Sequence, residues 1–189
     1  MNEADVLDLL TEHHALLRGH FLLSSGKHSD AYVEKARLFE RPEVVSALAA
    51  EIASWYERIE AVVSPAVGAV PLGFAVAQAS SARFLYAERE GGSLVLRRGF
   101  RLGAGERTLV VEDVVTTGGS AAEVYELVRT SGAEPLGVAA LVDRSTGELP
   151  FLFRSLIRLE FAVHDPKRCP LCADGVQLVS PGSRHVRSR

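Results

Sequence analysis

Apolar positions in 2-NEADVLDLLTEHHALL-17 recur at Val6, Leu9, Leu10, His13 and Leu17, the spacing of one helical face. Asn2 stands ahead of it as a capping residue, and Asp5 lies near the positive end of the helix dipole. Residues 18–39 are punctuated by Gly and Ser, and their apolar pieces read as short strands. Pro42 suits the first position of a second helix, which turns Val45, Leu48, Ala49, Ile52 and Trp55 inward.

From residue 61 the pattern changes. Ala61-Val62-Val63 reads as a strand, followed by the loop 64-SPAVGAV-70 and a helix beginning at Pro71. A strand at 83-RFLYA-87 precedes a Gly-rich, charged interval, and 107-RTLVVED-113 is the clearest strand of all. The helix 120-SAAEVYELVRTSG-132 gathers Ala121, Val124, Tyr125 and Val128 on one face and stops at Gly132. Strands at 136-LGVAALVD-143 and 155-SLIRLEF-161 complete the alternation. Near-continuous apolar strands between helices predict an α/β fold, a parallel sheet covered on both faces. Residues 1–189 are expected to form a single domain, with 1–40 as a small cap over the carboxyl ends of the strands and the tail 164–189 contributing to it.

Composition narrows the setting. The chain has 189 residues, 47% apolar and 24% charged, with a net charge of -3, which gives no reason to expect nucleic acid. The basic cluster Arg184 to Arg189 reads as a frayed, solvated tail. The acidic N-terminus is not a signal peptide, and no apolar run is long enough to span a bilayer, so the expected compartment is the cytoplasm. Cys169 and Cys172 form no disulfide framework. With His164 or His185 nearby they invite a zinc reading, but a closed site needs four ligands and no second pair shows metal spacing. The expectation is a reduced, structural tail and no metal-ligating residues. His13 and His14 read as surface and partial core.

The chemistry concentrates in 109-LVVEDVVTTGGS-120. Ligands of open α/β sheets bind outside the carboxyl ends of the strands, where Glu112 and Asp113 stand. The loop Val114, Val115, Thr116, Thr117, Gly118, Gly119, Ser120 then runs into a helix, so backbone N–H groups and the helix dipole suit a phosphate. Hydroxyls of Thr116, Thr117 and Ser120 add donors, and the glycines allow close approach. No Lys follows the glycines and no G-x-G-x-x-G occurs, which points to a monophosphate. Two carboxylates beside an anion site need another task, and a sugar diol supplies the donors they accept.

This run closely resembles the phosphoribosyl-pyrophosphate motif of type I phosphoribosyltransferases. The stretches 20-HFLLSSGKHSDAYVEK-35, 141-LVDRSTG-147, 88-EREGGSLVLRRGF-100 and 169-CPLCADGVQLVSPGSR-184 resemble those of orotate phosphoribosyltransferases, a bacterial and archaeal subgroup in particular. The resemblance implies orotate and phosphoribosyl pyrophosphate as substrates, Mg²⁺ as cofactor, and a homodimer. It implies that residues 112–120 bind the donor, that Asp113 is catalytic, and that Thr116 and Arg144 contact orotate. A planar guanidinium suits the carboxylate of orotate, whereas an Arg144 that merely pairs with Asp143 is the plainer alternative. The reaction implied proceeds with inversion through an oxocarbenium-like transition state, so positioning and electrostatics dominate. A transferase for a purine, or a non-catalytic sensor of the donor, would use the same loop.

The sequence departs from the family where pyrophosphate leaves. Ser24 and Gly68 occupy positions where better-known members carry lysine, and 86-YAEREGGSLVLRR-98 contains no Lys or His. Arg89, Arg97 and Arg98 remain as candidates to meet pyrophosphate, or as charges of a solvated hairpin.

Overall fold

A computed structural model describes residues 1–181. The basic cluster and His185 lie outside the described residues. In chain order come α1 (Glu3–Glu12), β1 (Leu16–Leu22), β2 (His28–Val33), α2 (Ala36–Phe39) and α3 (Pro42–Ser54). Then follow β3 (Ala61–Pro65), α4 (Val70–Ala79), β4 (Arg83–Glu90), β5 (Ser93–Leu96), β6 (Arg107–Val115) and α5 (Gly119–Thr130). The chain closes with β7 (Glu134–Asp143), β8 (Phe153–Arg158), β9 (Val163–His164), a 3₁₀ turn (Pro166–Arg168), α6 (Pro170–Ala173) and β10 (Leu178–Val179). None of the described helices is long and apolar enough to cross a membrane.

Two compact units result. Among the described residues, the larger comprises 1–7 and 39–159, the smaller 8–38 and 160–181.

The larger unit is built on a sheet of order β5-β4-β3-β6-β7-β8, parallel throughout except for the antiparallel edge strand β5. Val110 of β6 and Val63 of β3 pack with Ala121, Val124 and Val128 of α5 on one face. Side chains alternate along a strand, so Ser64 and Phe84 lie on the other face, against Gly73 of α4. A Cβ at Gly73 would stand 2.0 Å from the Ser64 hydroxyl, and only glycine lets α4 settle this close. From β3 the chain moves outward to β4, and from β6 it moves the opposite way to β7. The order of strands therefore reverses between β3 and β6, the crevice where such sheets bind ligands.

The smaller unit holds a sheet of order β10-β1-β2-β9. The helical spacing predicted over residues 2–17 stops early. Asn2 caps α1 as expected, its side chain accepting from the Asp5 N–H at 3.0 Å while Asp5 accepts from the Asn2 N–H. At His14 the backbone turns left-handed (φ 53°), ending the helix, and Leu17 becomes a strand residue.

The hairpin of this unit also brings two histidines to the cysteine pair. His28 pairs with Leu22, two residues beyond His20, so both imidazoles leave the hairpin by the same face. There they meet Cys169 and Cys172, and the ligand atoms of all four lie within 4.8 Å of one another. Cysteine spacing alone supplied one pair. Strand pairing supplies the second.

Candidate functional site

β6 runs two residues past the predicted end, through Val115, so Glu112 and Asp113 lie inside the strand and point to opposite faces. Glu112 shares the face of Val110, toward α5, and lines a small hollow with Thr116, Thr117, Gly118 and Ser120. Asp113 is buried on the other face, where its Oδ1 accepts from the Val114 N–H at 2.6 Å. The two acids are divided by the sheet, not paired at its edge.

The turn itself follows from glycine chemistry. Gly118 adopts φ 73° at the cap of α5, and a Cβ there would fall 2.6 Å from the Leu149 side chain. Its carbonyl accepts from the Ala122 N–H at 2.7 Å, starting the helix. The N–H groups of the first turn then have no helical acceptor and face the hollow's side of the loop. Thr116 and Thr117 are exposed. The loop after β3, with a cis Ala66–Val67 peptide and an exposed Val67, lies at the other side of the same crevice.

β7 brings the last expected residue. Val115 pairs with Asp143, and the Arg144 N–H donates to the Val115 carbonyl at 2.8 Å. Arg144 thus follows the end of one strand while Thr116 follows the end of its neighbour. Asp143 accepts from the Ser145 N–H at 2.7 Å and from the Arg158 guanidinium at 3.2 Å, which also donates to the Ser145 carbonyl. Arg158 and Ser145 escaped the sequence reading because their role is to fix the Asp143 corner, which needs β8 alongside β7.

The hairpin arginines are all engaged by acids. Arg89 grips Glu123 of α5 through two bonds of 2.8 and 2.9 Å and donates to the Gly92 carbonyl. Arg98 holds Glu88 through two bonds of 2.9 and 3.0 Å. Arg97 lies 3.8 Å from Glu90, the loosest of the three. These bonds hold the Glu123 and Glu88 carboxyls below their ordinary pKa, with the arginine hydrogen bond as the largest cause in each. Glu123 was missed. It lies four residues into α5 and carries no sign of its partner in local sequence.

A larger hollow, about 450 Å³, is lined by Ala50, Tyr56, Glu57, Arg58 and Ser80. It opens near Ile59, ahead of β3, at the wrong ends of the strands for the ligands of this architecture. Burial raises the Tyr56 pKa there, which keeps its hydroxyl neutral.

Residues 37–154 match the family profile described as "Phosphoribosyl transferase domain". The orotate phosphoribosyltransferase of Caldanaerobacter subterraneus subsp. tengcongensis is 46% identical over 190 residues, spanning 98% of this chain and 100% of that protein. That of Thermotoga maritima is 47% identical over 186 residues, 96% of this chain and 100% of its own. Among solved structures, the orotate phosphoribosyltransferase from Aeropyrum pernix superposes with a TM-score of 0.70 at 30% identity, covering 82% of this chain and 93% of that one.

Proposed function

The chain belongs to the phosphoribosyltransferase family, and we propose that its reaction is orotate phosphoribosyl transfer in pyrimidine (UMP) biosynthesis. The anomeric carbon of phosphoribosyl pyrophosphate exchanges its bond to a pyrophosphate oxygen for one to a ring nitrogen of orotate, with inversion. The products are orotidine 5′-monophosphate and pyrophosphate. The carrying observation is the placement of Arg144 beside Thr116 at the ends of neighbouring parallel strands, tied by the 2.8 Å backbone bond. A guanidinium there takes the carboxylate of orotate, and the threonine hydroxyl takes a ring edge.

The loop from Val114 to Ser120 takes the 5′-phosphate through backbone N–H groups and hydroxyls. Glu112, which lines the hollow beside that loop, accepts from the ribose hydroxyls, and the negative charge of Asp113, on the other face of β6, favours through space the positive charge that develops on the ribose. Half-buried Glu112, lining the hollow, is a hard oxygen donor of the kind Mg²⁺ accepts. Mg²⁺, when bound with the donor, would supply the charge that neutralises pyrophosphate. Arg97, with the weakest internal ion pair of the hairpin, is the cation proposed to meet that leaving group. The enzyme acts in the cytoplasm as a homodimer, for which exposed Val67 and Phe74 offer apolar surface.

With Mg²⁺ and phosphoribosyl pyrophosphate, purified protein is expected to deplete orotate absorbance and to leave adenine and hypoxanthine unchanged. Donor binding without depletion would make the protein a sensor, and consumption of a purine instead would reassign the base.

A further inference from the structure

The smaller unit carries chemistry that the transfer reaction does not use. His20 Nε2 lies 2.8 Å from His28 Nδ1, 3.5 Å from Cys169 Sγ and 3.7 Å from Cys172 Sγ. Cys172 Sγ lies 3.3 Å from His28 Nδ1. A tetrahedral zinc, with bonds of about 2.0 Å to nitrogen and about 2.3 Å to sulfur, sets neighbouring ligand atoms roughly 3.3–3.8 Å apart. These three nitrogen–sulfur separations match that tetrahedron, all four ligand atoms lie within 4.8 Å of one another, and the two nitrogens need to part by about half an ångström.

Protonation matches as well. His20 Nδ1 lies 2.8 Å from the Val176 carbonyl, which can only accept. Nδ1 therefore carries the proton, and the Nε2 lone pair faces the cluster. This is the outer bond that orients a ligating imidazole.

The packing of the C-terminal stretch supplies an independent argument. From residue 160 to 181, Cys169 is the one buried residue; Val163, Val176, Leu178 and Val179 are exposed. This stretch has almost no apolar core, yet it ends β10 beside β1 and β9 beside β2. Ordering a chain costs on the order of 1–2 kcal/mol per residue, and burying one cysteine does not offset that. A metal ion is the usual supplement where a small unit lacks a core.

We propose that His20, His28, Cys169 and Cys172 bind one structural Zn²⁺. On binding, both thiols release their protons to solvent, and two thiolates with two neutral imidazoles cancel the charge of the dication. No electron is transferred. Four protein ligands leave no open position, so the ion clamps the tail to the β1–β2 hairpin and performs no catalysis. A two-iron cluster would place nitrogens and sulfurs on separate irons, which the 3.3 Å approach of Cys172 to His28 excludes.

The test uses the full-length chain, purified without a polyhistidine tag from zinc-supplemented culture. Elemental analysis after gel filtration should give about one zinc per chain, falling below about a tenth in Cys169→Ser/Cys172→Ser. A folding failure of that variant is bypassed on the wild type. Mercurial titration of its thiols should release the zinc in step with modification, and Co²⁺ replacement should give the visible absorption of a tetrahedral thiolate site. Wild-type protein with no zinc and freely reactive thiols overturns the proposal, as does full zinc loading in the double variant.

Discussion

The anion site proposed at the turn after β6 and the zinc site proposed at His20 would take a charged ligand by opposite means. The turn presents backbone N–H groups and exposed hydroxyls from consecutive residues, with Thr116 and Thr117 open to solvent. The cluster presents side-chain lone pairs, with His20, His28 and Cys169 buried. Backbone donors hold an anion that can leave, since water replaces each bond at little cost. Deprotonated sulfur and nitrogen around a closed position hold a cation that stays. On the two proposals, the contrast separates a site for turnover from one for permanence.

The largest expected effect falls on the turnover side. Glu112→Gln with Asp113→Asn should lower kcat/KM by about 10²–10³-fold, the scale of losing groups that stabilise transition-state charge. Zinc content should be untouched, and steady-state kinetics beside elemental analysis checks both. A loss of zinc in this variant would dissolve the separation. Arg144→Ala should follow, raising the KM for orotate by about 10–100-fold with little change for the donor. An equal rise for both substrates would mean that the residue shapes the strand end and does not read the base. Arg97→Ala is expected to raise the donor KM by about tenfold through a lost charge-assisted bond; an unchanged KM removes Arg97 from the pyrophosphate.

The permanent site is sharpened by proteolysis. Lys167 and Arg168 are exposed in the stretch that leads to Cys169. Removing zinc should speed tryptic cleavage there by about tenfold, because local opening then lacks its clamp. Mass spectrometry locates the cut, and equal rates with and without chelator would count against the clamp.

The same difference explains what the sequence made legible. The strand–turn–helix of 109–120 is local, so periodicity, glycines and hydroxyls stood together in one window. The parallel sheet was legible for the same reason, through apolar runs such as Val110 and Leu141. His20 and Cys169 are 149 positions apart, and no local rule joins them. The one available signal was a pair of histidines inside apolar strand pieces, with a Cys-x-x-Cys far downstream. The end of β6 was misjudged because Val114 and Val115 read equally as strand or loop, and neighbouring β7 decides. Two-residue strands such as β10 exist only by pairing and have no pattern of their own.

The smallest effect concerns the hairpin's attachment to α5, the helix that begins at the turn after β6. Glu123 accepts two bonds from Arg89 and one from the Leu94 N–H at 3.2 Å. Its folded pKa lies below the ordinary value, so its contribution to stability is fully present above that value and fades as pH falls through the folded one. Glu123→Gln should therefore lower the unfolding free energy near pH 7 and converge with the wild type in acid. Both side chains are substantially exposed, 43% for Arg89 and 40% for Glu123, so screening limits the effect to about 0.2–1 kcal/mol. Denaturant titrations from pH 7 to about pH 3 would check it. A difference that survives undiminished in acid would assign the loss to the Leu94 bond, since the ion pair is gone there and the neutral hydrogen bond is not.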